Sequence, residues 1–279
     1  MARRRIADEP MSRMAIWARR CAFFSLVATI LSIIIVRWGI LELEPALATF
    51  GAALLVAVLG IVLAFGAFIV VWKDGIDGVG YAFAAIGIGL ALLAYPAYLG
   101  YRAYRLPMIN DITTDPIDPP RFDVLARLRP RDAVAYAGLY AAEQQKRAYP
   151  DIEPLSVNVT PKIAYDEAMK IIMKHKWRVV VDRPPQQGRR DGLIEAVART
   201  PIMGFREDVS LRIRPEDDGA RIDVRSASRF GRHDFGSNAS RIRGLLEEID
   251  ARASIEEKRE RPQQRQPQPA KPGTAQRRS

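Results

Sequence analysis

The sequence predicts a membrane-anchored α+β protein: three transmembrane helices, then a small antiparallel-sheet domain of order β-α-β-β-β-β-α, the helix-grip order. Three observations carry that reading. Three long uncharged apolar runs lie before Arg102. Four consecutive segments, beginning at Trp177, Gly192, Glu207 and Ala220, read as strands, the last two with strict alternation of apolar and polar residues, which is the period of a strand with unlike faces. Apolar residues at helical spacing precede and follow those segments, at Ala164, Ala168, Ile171 and Ile172 and again at Ile242, Leu245, Leu246 and Ile249.

The N-terminal arm, residues 1–20, is basic, with Arg3, Arg4, Arg5, Arg13, Arg19 and Arg20. The apolar region 21–101 follows, with spans expected at about 21–41, 45–72 and 79–101, each long enough to cross a hydrocarbon core of about 30 Å as a helix. Arg37 is the one charge inside a span; it lies near the end of the first, where a long side chain reaches the headgroups. Trp38, Trp72 and Tyr101 mark span ends, as interfacial aromatics do. The excess of arginine before the first span, against Glu42 and Glu44 in the first loop, places the N-terminus in the cytoplasm and, after three crossings, the C-terminal domain on the other side. Ala46–Ala48 resembles a signal-peptide cleavage site, but the basic region is too long and two further spans follow. The single cysteine, Cys21, lies in a span and leaves no intrachain disulfide to form.

Residues 102–130 are rich in turn formers and read as an extended linker lying along the domain. Residues 131–254 form the domain. Asp132–Arg147 is rich in helix formers and SVNVT is a short strand. Thr160 then caps a helix that opens on Pro161, a residue whose missing amide costs nothing at that position. WRVVVD, GLIEAVART, EDVSLRIRP and ARIDVRSAS follow as strands, with EDDG as a tight hairpin between the last two. Val209, Leu211 and Ile213 share one face, as do Ile222 and Val224; Asp208, Ser210, Arg212, Arg214, Arg221, Asp223 and Arg225 fall on the other, which is expected to be wet. The last helix starts near Ser237 or Asn238, both good N-caps, and covers the dry face. Residues 255–279, rich in proline, glutamine and basic residues, form an expected disordered tail. The net charge of +10 sits largely in this tail and the N-terminal arm. Beside a membrane such charge fixes orientation and meets anionic lipid, so a nucleic-acid partner is not expected.

LPMINDITTDPIDPPRF, AYPDIEPL, TPKIAYDEAMKIIMKHKWRV, the GF.ED.VS.RI pattern of Gly204–Ile213 and above all DVRSASRFGRHDFGSNASRI of Asp223–Ile242 resemble the domain of unknown function 1499 family, found as bacterial membrane-anchored proteins. The resemblance covers roughly Leu106–Arg252. It implies membership of a family without an assigned activity and supplies no catalytic residues.

The stretch Val224–Arg243 concentrates arginine and serine with His233 and Asp234. Nucleophilic catalysis needs a serine within reach of a base and an oxyanion site, and no G-x-S-x-G elbow is present. Asp234-Phe235-Gly236 matches a kinase motif, without the glycine-rich loop or catalytic loop that gives it meaning. With only His175 and His233 in the chain, no spaced set of metal ligands forms. Anion binding is the chemistry these residue types support, through free amides at a helix start and clustered guanidiniums. The candidate anion- or ligand-binding residues are Arg225, Ser226, Ser228, Arg229, Arg232, Asp234, Asn238 and Arg241. The competing structural reading pairs Arg225 and Arg229 with Glu207, Asp208 or Asp234, caps the helix with Asn238 and closes turns with the serines. The stretch is therefore read first as a structural corner and second as an anion-binding surface.

The expectation for function is a multi-pass protein of the bacterial inner membrane with its N-terminus in the cytoplasm. Its periplasmic domain would be a non-catalytic binding or assembly module for an anionic lipid or envelope component, with no cofactor. The alternative is a membrane-associated enzyme acting on a hydrophobic or anionic substrate.

Overall fold

A computed structural model describes residues 10–40, 43–129, 138–186 and 191–264. The chain divides into two compact units, one of residues 1–108 with 199–206, the other of residues 109–198 with 207–279.

The first unit is three helices, α1 (Arg13–Trp38), α2 (Leu43–Asp74) and α3 (Val79–Arg105), each long and apolar enough to cross a membrane. Their shared seam is built from small residues. Ala15, Ala18 and Ala22 of α1, Ala64 and Ala67 of α2, and Ala82 and Ala85 of α3 are fully buried, while Phe23, Phe24, Leu55, Phe65 and Phe83 face outward. Lipid is as apolar as leucine, so helices associate there by close backbone approach rather than by hiding large side chains. Gly60 illustrates the constraint, since a Cβ there would lie 3.3 Å from the carbonyl oxygen of Ala18.

α1 begins at Arg13, capped by the Ser12 hydroxyl, which accepts from the Ala15 amide at 3.4 Å. The second half of the basic arm is thus helical, and Arg19 stacks on the Tyr81 ring at 3.7 Å. The amide of Ser12 donates to Asp77 and that of Asp77 to Pro10, which ties the N-terminal segment to the α2–α3 loop. Arg37, expected to reach the headgroups, donates Nη1 to the carbonyls of Pro201 (2.8 Å) and Ile202 (3.3 Å).

The second unit contains β1 (Asp111–Thr113), α4 (Leu125–Leu128), α5 (Gly138–Ala148), β2 (Leu155–Val157), α6 (Pro161–Lys174), β3 (Arg178–Arg183), β4 (Gly192–Arg199), β5 (Arg206–Glu216), β6 (Gly219–Ser228) and α7 (Ser237–Gln264). The sheet runs β3-β4-β5-β6, and both β1 and β2 pair antiparallel with the far side of β6, β1 at Arg225–Ala227 and β2 at Ala220–Ile222. From β2 onward the order is the expected β-α-β-β-β-β-α. Glu216 pairs with Gly219 across the β5–β6 turn, and a Cβ on Gly219 would sit 2.0 Å from the Val157 carbonyl oxygen, so glycine alone fits there. Thr160 caps α6 as expected, accepting from the Ile163 amide.

α6 and α7 pack on each other and on β6, over a core that includes Ile171, Ile172, Val209, Leu211, Ile213, Ile222, Val224, Ile242 and Ile249, all fully buried. Each such side chain contributes about 1.5–3 kcal/mol by leaving water.

The opposite face of the sheet is not wet. Asp208, Ser210 and Asp223 are fully buried, and Arg212 is 13% exposed. The cover is the segment 109–129, which lies along the domain as expected but also adds a strand to its sheet and a short helix to its surface. The domain therefore starts near Ile109 rather than at 131. The described part of the helix expected at Asp132–Arg147 is α5; residues 132–137 lie outside the described residues. α7 continues through Gln264, so the first ten residues expected in a disordered tail are helical, and 265–279 lie outside the described residues.

Candidate functional site

Strand alternation sets the candidate residues of β6 on two faces of the sheet. Ser226 and Ser228 point to the helix side of β6 and Arg225 to the covered side. Arg229, one residue past the strand, joins the covered side through Asp208. Seven of the eight candidates, all but Arg232, thus belong to two networks on opposite faces.

On the helix side the centre is Asn238, fully buried in the first turn of α7. Its Nδ2 donates to the Asn110 carbonyl and to Ser228 Oγ, each at 3.0 Å, and its Oδ1 accepts from Ser226 Oγ (2.8 Å) and Arg241 Nη1 (2.9 Å). Glu207 accepts from Ser228 Oγ (3.1 Å) and Ser237 Oγ (2.8 Å) and forms an ion pair with Arg241. Asn238 is a junction between β6, α7 and the start of the covering segment, not the helix cap. The cap is Asp234, which accepts from the Gly236 amide at 2.8 Å and the Asn238 amide at 3.0 Å. Burial raises the Asp234 carboxyl above its usual range, and these two amide bonds oppose the rise. The helix-start amides expected to receive an anion are therefore occupied by the chain's own carboxylate.

On the covered side Arg225 grips Asp111 in a fork, Nε to Oδ1 at 3.0 Å and Nη2 to Oδ2 at 2.7 Å, with the Phe122 ring 4.6 Å from the guanidinium. Arg229 donates Nε and Nη2 to Asp208 Oδ1 at 2.9 and 2.8 Å, and Arg129 faces the other oxygen at 3.2 Å. Of the expected arginine pairings, Arg229 with Asp208 forms; Arg225 takes Asp111 instead. Farther along the strand, Asp223 is shared by Arg212, Arg214 and Arg221.

Arg232 is exposed and takes no ion-pair partner among the described residues. His233 accepts the Phe235 amide on Nδ1 at 2.8 Å and stacks on that ring; Ser226, Ser228 and Ser237 bond to Asn238 and Glu207. This geometry holds two elements and a covering segment together.

Glu195 was not singled out by sequence reasoning. It is fully buried in β4, and its carboxylate accepts the amides of Asp123, Val124 (3.1 Å) and Leu125 (2.8 Å), fastening the start of α4. A lone carboxylate in the otherwise apolar run GLIEAVA was the available signal.

Three membrane-length apolar helices and an antiparallel sheet flanked by helices define an integral membrane protein with an α+β domain. Residues 111–249 match the model of a family described as "Protein of unknown function (DUF1499)", and the chain belongs to that family. Neither a curated protein nor a solved structure matches it.

Proposed function

We propose that the protein is a multi-pass component of the bacterial inner membrane whose periplasmic domain, of helix-grip type, is a non-catalytic binding or assembly module for a lipid or other envelope component. The observation that carries this reading is the closure of the Val224–Arg243 corner. Ser226, Ser228, Ser237, Asp234 and Asn238, together with Arg225, Arg229 and Arg241, are committed to internal partners, which suits a rigid presented surface better than a reacting centre. The topology is supported by the bonding of Ser12 to Asp77. That bond puts the N-terminal segment beside the α2–α3 loop, at the end of the bundle opposite the C-termini of α1 and α3. Native mass spectrometry of the full chain, extracted in nanodiscs from its own membrane, tests the reading. A retained lipid or envelope component of defined mass is the expected result; a bare protein from every extraction would overturn it.

A further inference from the structure

Away from the corner, a cavity of about 150 Å³ opens between the covering segment and the β3–β4 edge, lined by Arg121, Asp123, Arg183, Asp191, Gly192 and Arg212 among others. Arg212 is already engaged by Asp118 at 2.8 Å and Asp223 at 3.2 Å. The charges offered to a ligand are therefore two guanidiniums, Arg121 and Arg183, and two carboxylates, Asp123 and Asp191. Arg183 and Asp123 meet only at 3.5 Å, each close to half exposed, a loose pair that an inserting ligand opens at little cost. Arg121 and Asp191 take no ion-pair partner among the described residues.

The backbone beneath these side chains is fixed. The Arg121 carbonyl accepts from Ser210 Oγ at 3.0 Å, the Asp123 amide donates to Glu195, and Gly192 is pressed so closely that a Cβ would meet Pro185 Cδ at 2.9 Å. Held backbone with uncommitted charged ends is the preorganised arrangement a polar ligand site needs.

We propose that this cavity binds a small zwitterion that carries a phosphate-type oxyanion beside a primary ammonium group, either as a free ester or as a lipid headgroup. The guanidiniums match the oxyanion and the carboxylates match the ammonium. A simple anion would meet Asp123 and Asp191 unpaired. The inference deepens the binding-module reading and rests on it.

The test is isothermal titration of the full chain in phosphatidylcholine nanodiscs with O-phosphoethanolamine. Saturable binding is expected, weakened by at least about tenfold, the loss of one charge-assisted contact, in both Arg121→Ala and Asp191→Ala. Neither residue has an ion-pair partner among the described residues to lose, so both variants should melt with the wild type. Inorganic phosphate and phosphocholine, which lack the primary ammonium, should bind weaker by a similar factor. Equal binding of inorganic phosphate, undiminished binding in either variant, or no binding overturns the proposal. In that event a ligand still retained in native mass spectrometry leaves the binding-module reading standing, and a bare protein removes both. Loss of O-phosphoethanolamine binding in phosphatidylethanolamine nanodiscs makes the site a headgroup site; unchanged binding makes it a site for the free ester.

Discussion

Asn238 shows how one amide can hold three parts of a domain together. It satisfies a carbonyl of the covering segment, two serines of β6 and an arginine one turn on in α7, all away from water. As a helix cap its replacement by alanine would cost about 1 kcal/mol. As a buried junction, Asn238→Ala leaves several polar groups unpaired and is expected to cost about 2–3 kcal/mol. Chemical denaturation of the detergent-solubilised chain separates the two, and a loss near 1 kcal/mol would return Asn238 to a capping role. The residue types of this network were legible in the sequence, as was the Arg229–Asp208 pair. Its division was also legible, because alternation along ARIDVRSAS already sets Arg225 opposite Ser226; proximity in sequence obscured it. The Arg225–Asp111 fork was not legible, since its partners are far apart in the chain and nothing in LPMINDITT singles out Asp111.

At the scale of elements, the covering segment 109–129 changes the meaning of the sheet. The strands and both long helices follow from periodicity, but the charged face of β5 and β6 looks wet until Pro- and Asp-rich chain with no period of its own is laid across it. Among the bonds that fasten that chain are those the Glu195 carboxylate takes from the amides of Asp123, Val124 and Leu125. Glu195→Ala is expected to free the amides at the start of α4 and raise amide exchange and protease cleavage across 115–129 well before global unfolding; unchanged exchange there would mean that β1 and the other side-chain bonds, such as Arg212 to Asp118, hold the segment without Glu195. The α6–α7 seam has its own electrostatics. Burial pushes the Glu167 carboxyl up, but hydrogen bonds from Lys170 and Arg252 outweigh burial and hold it below its ordinary value. A carboxyl depressed in the folded state contributes stability that is present above its unfolded pKa of about 4.5 and is lost as pH falls through the folded value. Glu167→Gln should therefore flatten the acid limb of a stability profile below about pH 4.5 and lower stability at neutral pH. A variant whose acid limb keeps the wild-type slope would show that Glu167 is not a source of it.

For the whole molecule, the number of crossings decides where the domain acts. α1, α2 and α3 are joined by short loops, so α1 and α3 run in the same direction and α3 delivers the following chain to the side opposite the N-terminus. Arginines that precede α1 and occupy its first two turns favour a cytoplasmic N-terminus, and the periplasmic domain proposed above rests on that orientation. The β5–β6 hairpin offers a clean reporter. Asp218 is exposed at its tip, whereas Gly219 beside it has no room for any side chain. In a Cys21→Ala background, Asp218→Cys is expected to react with a membrane-impermeant maleimide added to intact cells with a permeabilised outer membrane. Protection there, with labelling only after the inner membrane is breached, would put the domain in the cytoplasm. The basic N-terminal arm and the α2–α3 loop would then lie outside, and any search for a ligand would move from envelope components to the cytoplasmic leaflet.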